Sequence, residues 1–223
     1  MKQSLPLKID LHVHTHYSGD ATTTLKEVIY HARKRGLDGV AVTDHDTMLG
    51  ALRLSKERKL IIIPGCEVSS LHGHVLALNV RETVEPKLTL PETVEKIHQS
   101  GGIAVIAHPA SVLKTGLGYT IISSASNLDA VEVINSAAFP FSLSTYLSRR
   151  LARRLELPQT AGSDAHQPQE IGNAHTVVNA DSNRDDIMEA IRKGKTVPFG
   201  KPIPWALRIR RGAIDVQTKL RGR

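Results

Sequence analysis

LKIDLHVH, residues 7–14, reads as a β-strand that ends in two histidines. Side chains on a strand alternate faces, so His12 and His14 project together, and Asp10 lies two residues before them on the same side. Two imidazoles at one strand end are placed to grip a metal ion, although a polar strand end without any ligand looks the same in isolation. Recurrence separates the two readings. A second strand-like run closes on Asp164-Ala165-His166, and Asp44-His45-Asp46, Glu67, His74 and His108 lie between. Carboxylates and imidazoles repeated in this way are hard to explain without metal.

Around these positions, strand-like and helix-like runs alternate along the whole chain, the pattern of parallel βα units. Residues 24–35 spell a helix with an apolar stripe of Leu25, Val28, Ile29 and Ala32. Thr24 and Glu27 form its capping box, and Gly36 is its stop. Strands are expected over 38–43, 60–68, 74–80, 103–107, 129–134, 159–163 and 176–179. Helices are expected over 47–59, from Thr89 to Gly101, over 142–156 with a stripe of Leu143, Leu147, Leu151 and Leu155, and after an Asn183 cap. About seven such units in one domain suggest a closed or nearly closed barrel, a distorted, TIM-like (β/α)7 fold. His14, His45, Glu67, His108, Asn135 and Asp164 all fall at or just after C-terminal strand ends, the rim where βα barrels build their sites. No glycine-rich dinucleotide fingerprint follows the first strand, which argues against an open doubly wound sheet.

At 223 residues the chain suits one domain, read as 1–212 with a basic tail over 213–223. The formal charge of +7 is uneven: from Arg192 onward there are ten Lys/Arg and one acid, so residues 1–191 carry −2. Any partner inferred from charge therefore concerns the C-terminal segment. Pro198, Pro202 and Pro204 punctuate short apolar runs there, and Trp205 is expected to be packed. The longest apolar runs are too short to span a bilayer. A lone Cys66 excludes an intrachain disulfide and fits a reducing compartment. The first strand begins by Leu7, which leaves no room for a signal peptide, so a cytoplasmic location without a membrane partner is expected.

His12-x-His14 with Ser18 and Asp20, Thr43-Asp44-His45-Asp46, Gly65-x-Glu67, Gly73-His74, Ala107-His108-Pro109 and Gly162-Ser163-Asp164-Ala165-His166 resemble the ordered motifs of the polymerase and histidinol phosphatase (PHP) family. The resemblance runs from Ile9 to His166. It implies a distorted (β/α)7 barrel and a metal-dependent phosphoesterase with three divalent ions of the zinc, manganese or iron type. It implies as ligands His12, His14, Asp20, His45, Glu67, His74, His108, Asp164 and His166. By the same analogy His12, His14 and Asp164 share one ion. Glu67 bridges it to a second held by His74 and His108, and Asp20, His45 and His166 hold the third. Many relatives place the acidic ligand directly after the serine, whereas here Gly19 intervenes before Asp20, and His16 is the competing candidate.

The residues themselves agree with that chemistry. Six imidazoles and three carboxylates, with no thiolate among them, suit borderline divalent metals rather than a closed cysteine-type zinc site. A hydroxide held between two such ions is a nucleophile near neutral pH, and the ions stabilise charge on the phosphoryl group. Glu67, Asp164, His166 and Asp44 are the candidates for direct roles in catalysis. Asp44 and Asp46 flank a ligand, so one of them is expected to orient an imidazole, the alternative for both being to cap the helix beginning near Thr47. Asp10 is expected deeper on the His12 face in a similar supporting role. Cys66 reads as core, and His31 and His98 as surface or packing residues. Arg149, Arg150, Arg153 and Arg154 read as a solvated helix face.

Three functions fit. The first is hydrolysis of a phosphate ester of a small metabolite or nucleotide. The second is a nuclease-like phosphodiesterase acting on DNA or RNA ends, its backbone held by the basic C-terminal segment. The third is a non-catalytic RNA-binding subunit, and here no liganding position is missing. Against the nuclease, the chain has eight aromatic residues that do not cluster along the sequence, so no stacking platform is expected.

Overall fold

Runs of Val, Ile and Ala build the strands, and almost every one of these side chains is buried. The computed structural model describes residues 6–110 and 127–209. Among these, nine strands form one sheet: β1 (Leu7–Val13), β2 (Gly39–Val42), β3 (Ile61–Ser70), β4 (Gly73–Leu78), β5 (Ile103–Ile106), β6 (Ala130–Asn135), β7 (Gln159–Gly162), β8 (Ala174–Val178) and β9 (Thr196–Gly200). Their order is β7-β6-β5-β4-β3-β2-β1-β8-β9. The sheet curls until β7 meets β1, and it becomes a nearly closed barrel. At that seam Asp164 N–H donates to His12 O at 2.8 Å and His14 N–H to Ala165 O at 3.0 Å. Gly162 permits the contact, because a Cβ there would lie 2.3 Å from the Cβ of His12.

The βα rhythm is not uniform. β1, β2 and β3 are mutually parallel, as are β5, β6 and β7, but β4 is antiparallel to both β3 and β5. β3 continues past the rim and folds back as a hairpin, which pairs Ser69 with His74. Glu67 therefore lies inside β3, and His74 reaches the rim at the start of a strand instead of its end. β8 is antiparallel to β1 and β9 to β8.

Helices α1 (Leu25–Lys34) and α3 (Leu90–Gln99) open on complete capping boxes, Thr24 with Glu27 and Thr89 with Glu92. Asn183 caps α5 (Arg184–Arg192). Between them, α2 (Leu49–Leu54) is much shorter than the expected 47–59. Ser55 Oγ turns back on Leu52 O at 2.7 Å, and the Glu57 carboxylate takes the N–H groups of Arg58 and Lys59, ending the helix early.

α4 (Phe141–Arg154) corrects the expected leucine stripe. Its buried face is Ser144, Ser148 and Ala152, while Leu143 and Leu147 are exposed and only Leu151 and Leu155 reach the core. Small side chains let the helix lie close against β6. Trp205 is 68% exposed, not packed. Two aromatic residues distant in sequence do meet: the Phe139 and Trp205 rings lie edge to face at 5.9 Å, brought together by the return of the chain after β9. Residues 205–209 are helical, and the expected tail, 213–223, lies outside the described residues. No helix among the described residues is long and apolar enough to cross a membrane.

Candidate metal centre

Glu67 is fully buried at the middle of the rim, and five imidazoles surround its carboxylate. Oε1 lies 2.9 Å from both His74 Nδ1 and His108 Nε2. Oε2 lies 3.1 Å from His14 Nε2, 3.2 Å from His12 Nε2 and 3.3 Å from His45 Nδ1. A second carboxylate, Asp164, has Oδ1 3.4–3.8 Å from His166, His14 and His12. A third, Asp20, has Oδ2 3.1 Å from His166 Nε2 and 3.4 Å from His45 Nε2. All nine residues with ligand chemistry thus converge. Donor atoms of eight of them, all but His108, form three overlapping groups, each within 4.8 Å: His14, Asp20, His45 and His166; His12, His14 and Asp164; His45, Glu67 and His74. His14 and His45 each belong to two groups, so the grouping is more shared than three separate ligand sets.

These donors fit divalent cations. Glu67 Oε2 is buried and takes no aligned hydrogen bond despite its three imidazole neighbours. The His12 and His14 Nε2 atoms face one another at 3.0 Å. Burial raises the Glu67 carboxyl, but His12, His108 and His14 outweigh it and hold the group well below the usual carboxylate range. Burial lowers His12, yet Glu67, Glu132 and Asp164 carry it well above its usual value. Asp20 is likewise pulled far down by His166 and His45 against its own desolvation. Each shift expresses the same demand for positive charge among the clustered carboxylates, which cations would meet.

A supporting layer fixes the rings, and sequence reasoning missed most of it. Glu132 on β6 accepts from His12 Nδ1 at 3.0 Å through Oε1, and from the His108 N–H and Asn135 Nδ2 through Oε2 at 2.8 and 2.9 Å. Its signal was a lone charge inside the apolar run Val131 to Ile134. Asn135 also donates to Asp164 Oδ2 at 3.1 Å. Ser18 Oγ lies 3.0 Å from His14 Nδ1 and accepts from the His45 N–H at 3.0 Å, and His166 Nδ1 donates to Asp164 O at 3.1 Å. With Nδ1 engaged in His12, His14 and His166, each ring turns its Nε2 edge to the centre, where a neutral ring would offer its lone pair to a cation. Glu170, buried and also missed, accepts from the N–H groups of His166 and Gln167. His108 and Asp164 hold positive φ angles of 30° and 54°, strain that this network maintains.

Other candidates stand apart from the donors. Asp44 accepts from Thr15 N–H and Oγ, at 2.6 and 2.8 Å, so it braces the turn after His14 and neither orients an imidazole nor caps α2. Asp46 accepts from the Ser69 N–H. α2 has no side-chain cap. Asp10 binds the N–H groups of His12, Ser163 and Gly172, and burial pushes its carboxyl up to about 6. His16 Nδ1 meets Thr23 O, outside the cluster. Cys66 is buried in the core, which pushes its thiol up to about 11. His98 pairs with Asp129 at 2.7 Å.

Comparison with known proteins bears on the same residues. The chain is 34% identical over 143 residues to an uncharacterized protein of Methanocaldococcus jannaschii, covering 58% of this chain and 82% of that one. It is 27% identical over 217 residues to a probable phosphatase of Syntrophotalea carbinolica, covering 81% and 90%. Its fold matches, with a TM-score of 0.74 and 17% identity, a two-domain Bacteroides vulgatus protein containing a predicted PHP-like metal-dependent phosphoesterase. That alignment covers 90% of this chain and 66% of the other. A PHP-associated model matches residues 144–196, and the PHP domain model matches residues 10–138. The latter takes in more than half of the sequence, so the chain belongs to the PHP domain family and is a metal-dependent phosphoesterase.

Proposed function

We propose that the enzyme hydrolyses the phosphate monoester of a small metabolite or nucleotide at a centre of three divalent ions of the zinc, manganese or iron type. Its ligands on this reading are His12, His14, Asp20, His45, Glu67, His74, His108, Asp164 and His166. The observation that carries the reading is Glu67, a buried carboxylate with imidazoles on both oxygens, as a residue shared between two cations requires. Ions held by these residues would supply a water of lowered pKa and charge stabilisation for the phosphoryl oxygens.

The chain's own residues divide the work by depth. His12, His14, His108 and Asp164 are buried and form the floor, whereas His45, His74 and Asp20 keep 26%, 24% and 47% of their side-chain surface. Substrate therefore enters over the second set. Glu132 and Ser18 hold His12 and His14 in the ring orientation that turns Nε2 inward, and Asn135 holds Asp164.

The reading is tested by elemental analysis of the purified protein and a screen of phosphomonoesters, dinucleotides and short oligonucleotides with Mn, Zn or Fe(II). More than one metal equivalent and turnover of monoesters are expected. Cleavage of oligonucleotides alone would replace this reading with the phosphodiesterase one. No bound metal, and no activity with any added ion, would leave the barrel as a binding protein.

A further inference from the structure

Beside the metal centre, the loop leaving β6 meets the chain returning from β9. Asn135 ends β6 with its amide on Asp164, so the residues after it lie on the rim of the donor cluster. The Ala138 N–H turns back on Asn135 O at 3.2 Å, which keeps Phe139 close to that rim. The returning chain is pinned to the same loop where the Ile203 N–H donates to Ser136 O at 3.0 Å. Arg208 then donates to Ala137 O at 3.0 Å and to the carbonyls of Ser136 and Ala138 at 3.4 Å. Its guanidinium lies 5.6 Å from the Phe139 ring centroid and 6.0 Å from that of Trp205.

An indole 68% exposed would ordinarily be withdrawn from water. Here it is kept at the surface by an edge-to-face neighbour and a cation fixed to three backbone carbonyls, so its π-face is organised before any ligand arrives. Such a face suits the flat, weakly hydrated ring of a nucleobase, which stacks without needing a base-specific hydrogen bond. Phe139 follows Asn135 by four residues in the loop that leaves β6, so the rings lie at the same end of the barrel as the donors. A sugar phosphate without a base would leave the rings unused.

We propose that Trp205 and Phe139, braced by Arg208, form a stacking subsite for the base of a nucleotide, which makes a nucleoside phosphate the substrate of the centre. The position of the phosphate rests on the phosphoesterase reading above, while the stacking surface does not. Trp205 and Phe139 touch the base. Arg208 is a positioning residue that acts through the two rings.

Trp205 is the single tryptophan of the chain, so its fluorescence reports the subsite without turnover. AMP and ribose 5-phosphate are titrated into the full chain with Mn, and their hydrolysis is followed in parallel. AMP is expected to quench the emission saturably and ribose 5-phosphate to leave it unchanged. Trp205→Ala is expected to raise KM for AMP between about fivefold and a hundredfold, the range of one base stack. Its kcat for AMP and its KM for ribose 5-phosphate are expected to stay within twofold, and Trp205→Phe should restore most of the AMP affinity. Emission unmoved by AMP, or equal KM changes for the two esters, would overturn the subsite. A saturable AMP quench with neither ester hydrolysed would uphold the subsite and sink the phosphatase reading.

Discussion

A buried carboxylate must be matched by donors or cations, and Glu132 is matched three times over, by His12, His108 and Asn135. Removing its charge leaves His12 free to turn or to change tautomer. Glu132→Gln is therefore expected to weaken metal binding by about tenfold to a hundredfold, the usual cost of losing such a partner. Competition against a chromogenic chelator measures it, and unchanged affinity would mean His12 is oriented without Glu132. Glu67→Gln should act differently, because the amide keeps the volume and removes the charge that five imidazoles face. Turnover is expected to fall far more than the melting temperature does. Activity within a few-fold of the parent would show that Glu67 is not shared between ions. His31, on α1 away from the donors, serves as the control, and His31→Ala should be nearly silent in both measurements.

Elements place these residues, and two substitutions separate placement from chemistry. Asn183 caps α5 after the end of β8, where Val178 pairs with Leu7 at the start of β1, opposite the rim, so Asn183→Ala is expected to cost about 1 kcal/mol in urea unfolding and to leave kcat alone. Gly162→Ala forces a methyl into the backbone of β1 beside His12 and against Glu132 Oε1. It should cost about 1–3 kcal/mol or more, as overpacking does, and should lower activity as well. A Gly162→Ala chain with full activity would mean that the seam does not govern the site. Which of these features the sequence betrays depends on how local they are. The strands up to β8, the two capping boxes and the Asn183 cap are written in neighbouring residues, and so are the His12/His14 and Asp164/His166 pairs, whereas Pro198 masked β9. The β3–β4 hairpin was concealed, because an apolar strand carries no mark of its partner's direction. The leucines of α4 misled because proximity to β6 selects small residues, leaving Leu143 and Leu147 outside. Glu132, and the meeting of Phe139 with Trp205, depend on contacts between distant segments, which no local pattern records.

Across the whole molecule, the donor cluster does to the barrel what hydrogen bonds do at the β7–β1 seam. Asp20 and the His12/His14 pair belong to β1 and the segment after it, Glu67 and His74 to the β3–β4 hairpin, His108 to the end of β5, and Asp164 and His166 to the end of β7. Cations bound by these residues tie strands from all round the rim, and the unfolded chain offers no comparable site. Binding to the native state alone stabilises by about 2.7 kcal/mol for each site at a hundredfold excess over Kd. Without cations, Glu67, Asp164 and Asp20 rely on protonated imidazoles for compensation. Chelation is therefore expected to abolish hydrolysis and to lower the melting temperature together, and added Mn or Zn should restore both. Calorimetry and a phosphomonoester assay on the same samples check the coupling. A chain that lost activity with its melting temperature unchanged would hold its metals without being held by them. Unchanged activity after verified metal removal would break the link between this donor cluster and the chemistry.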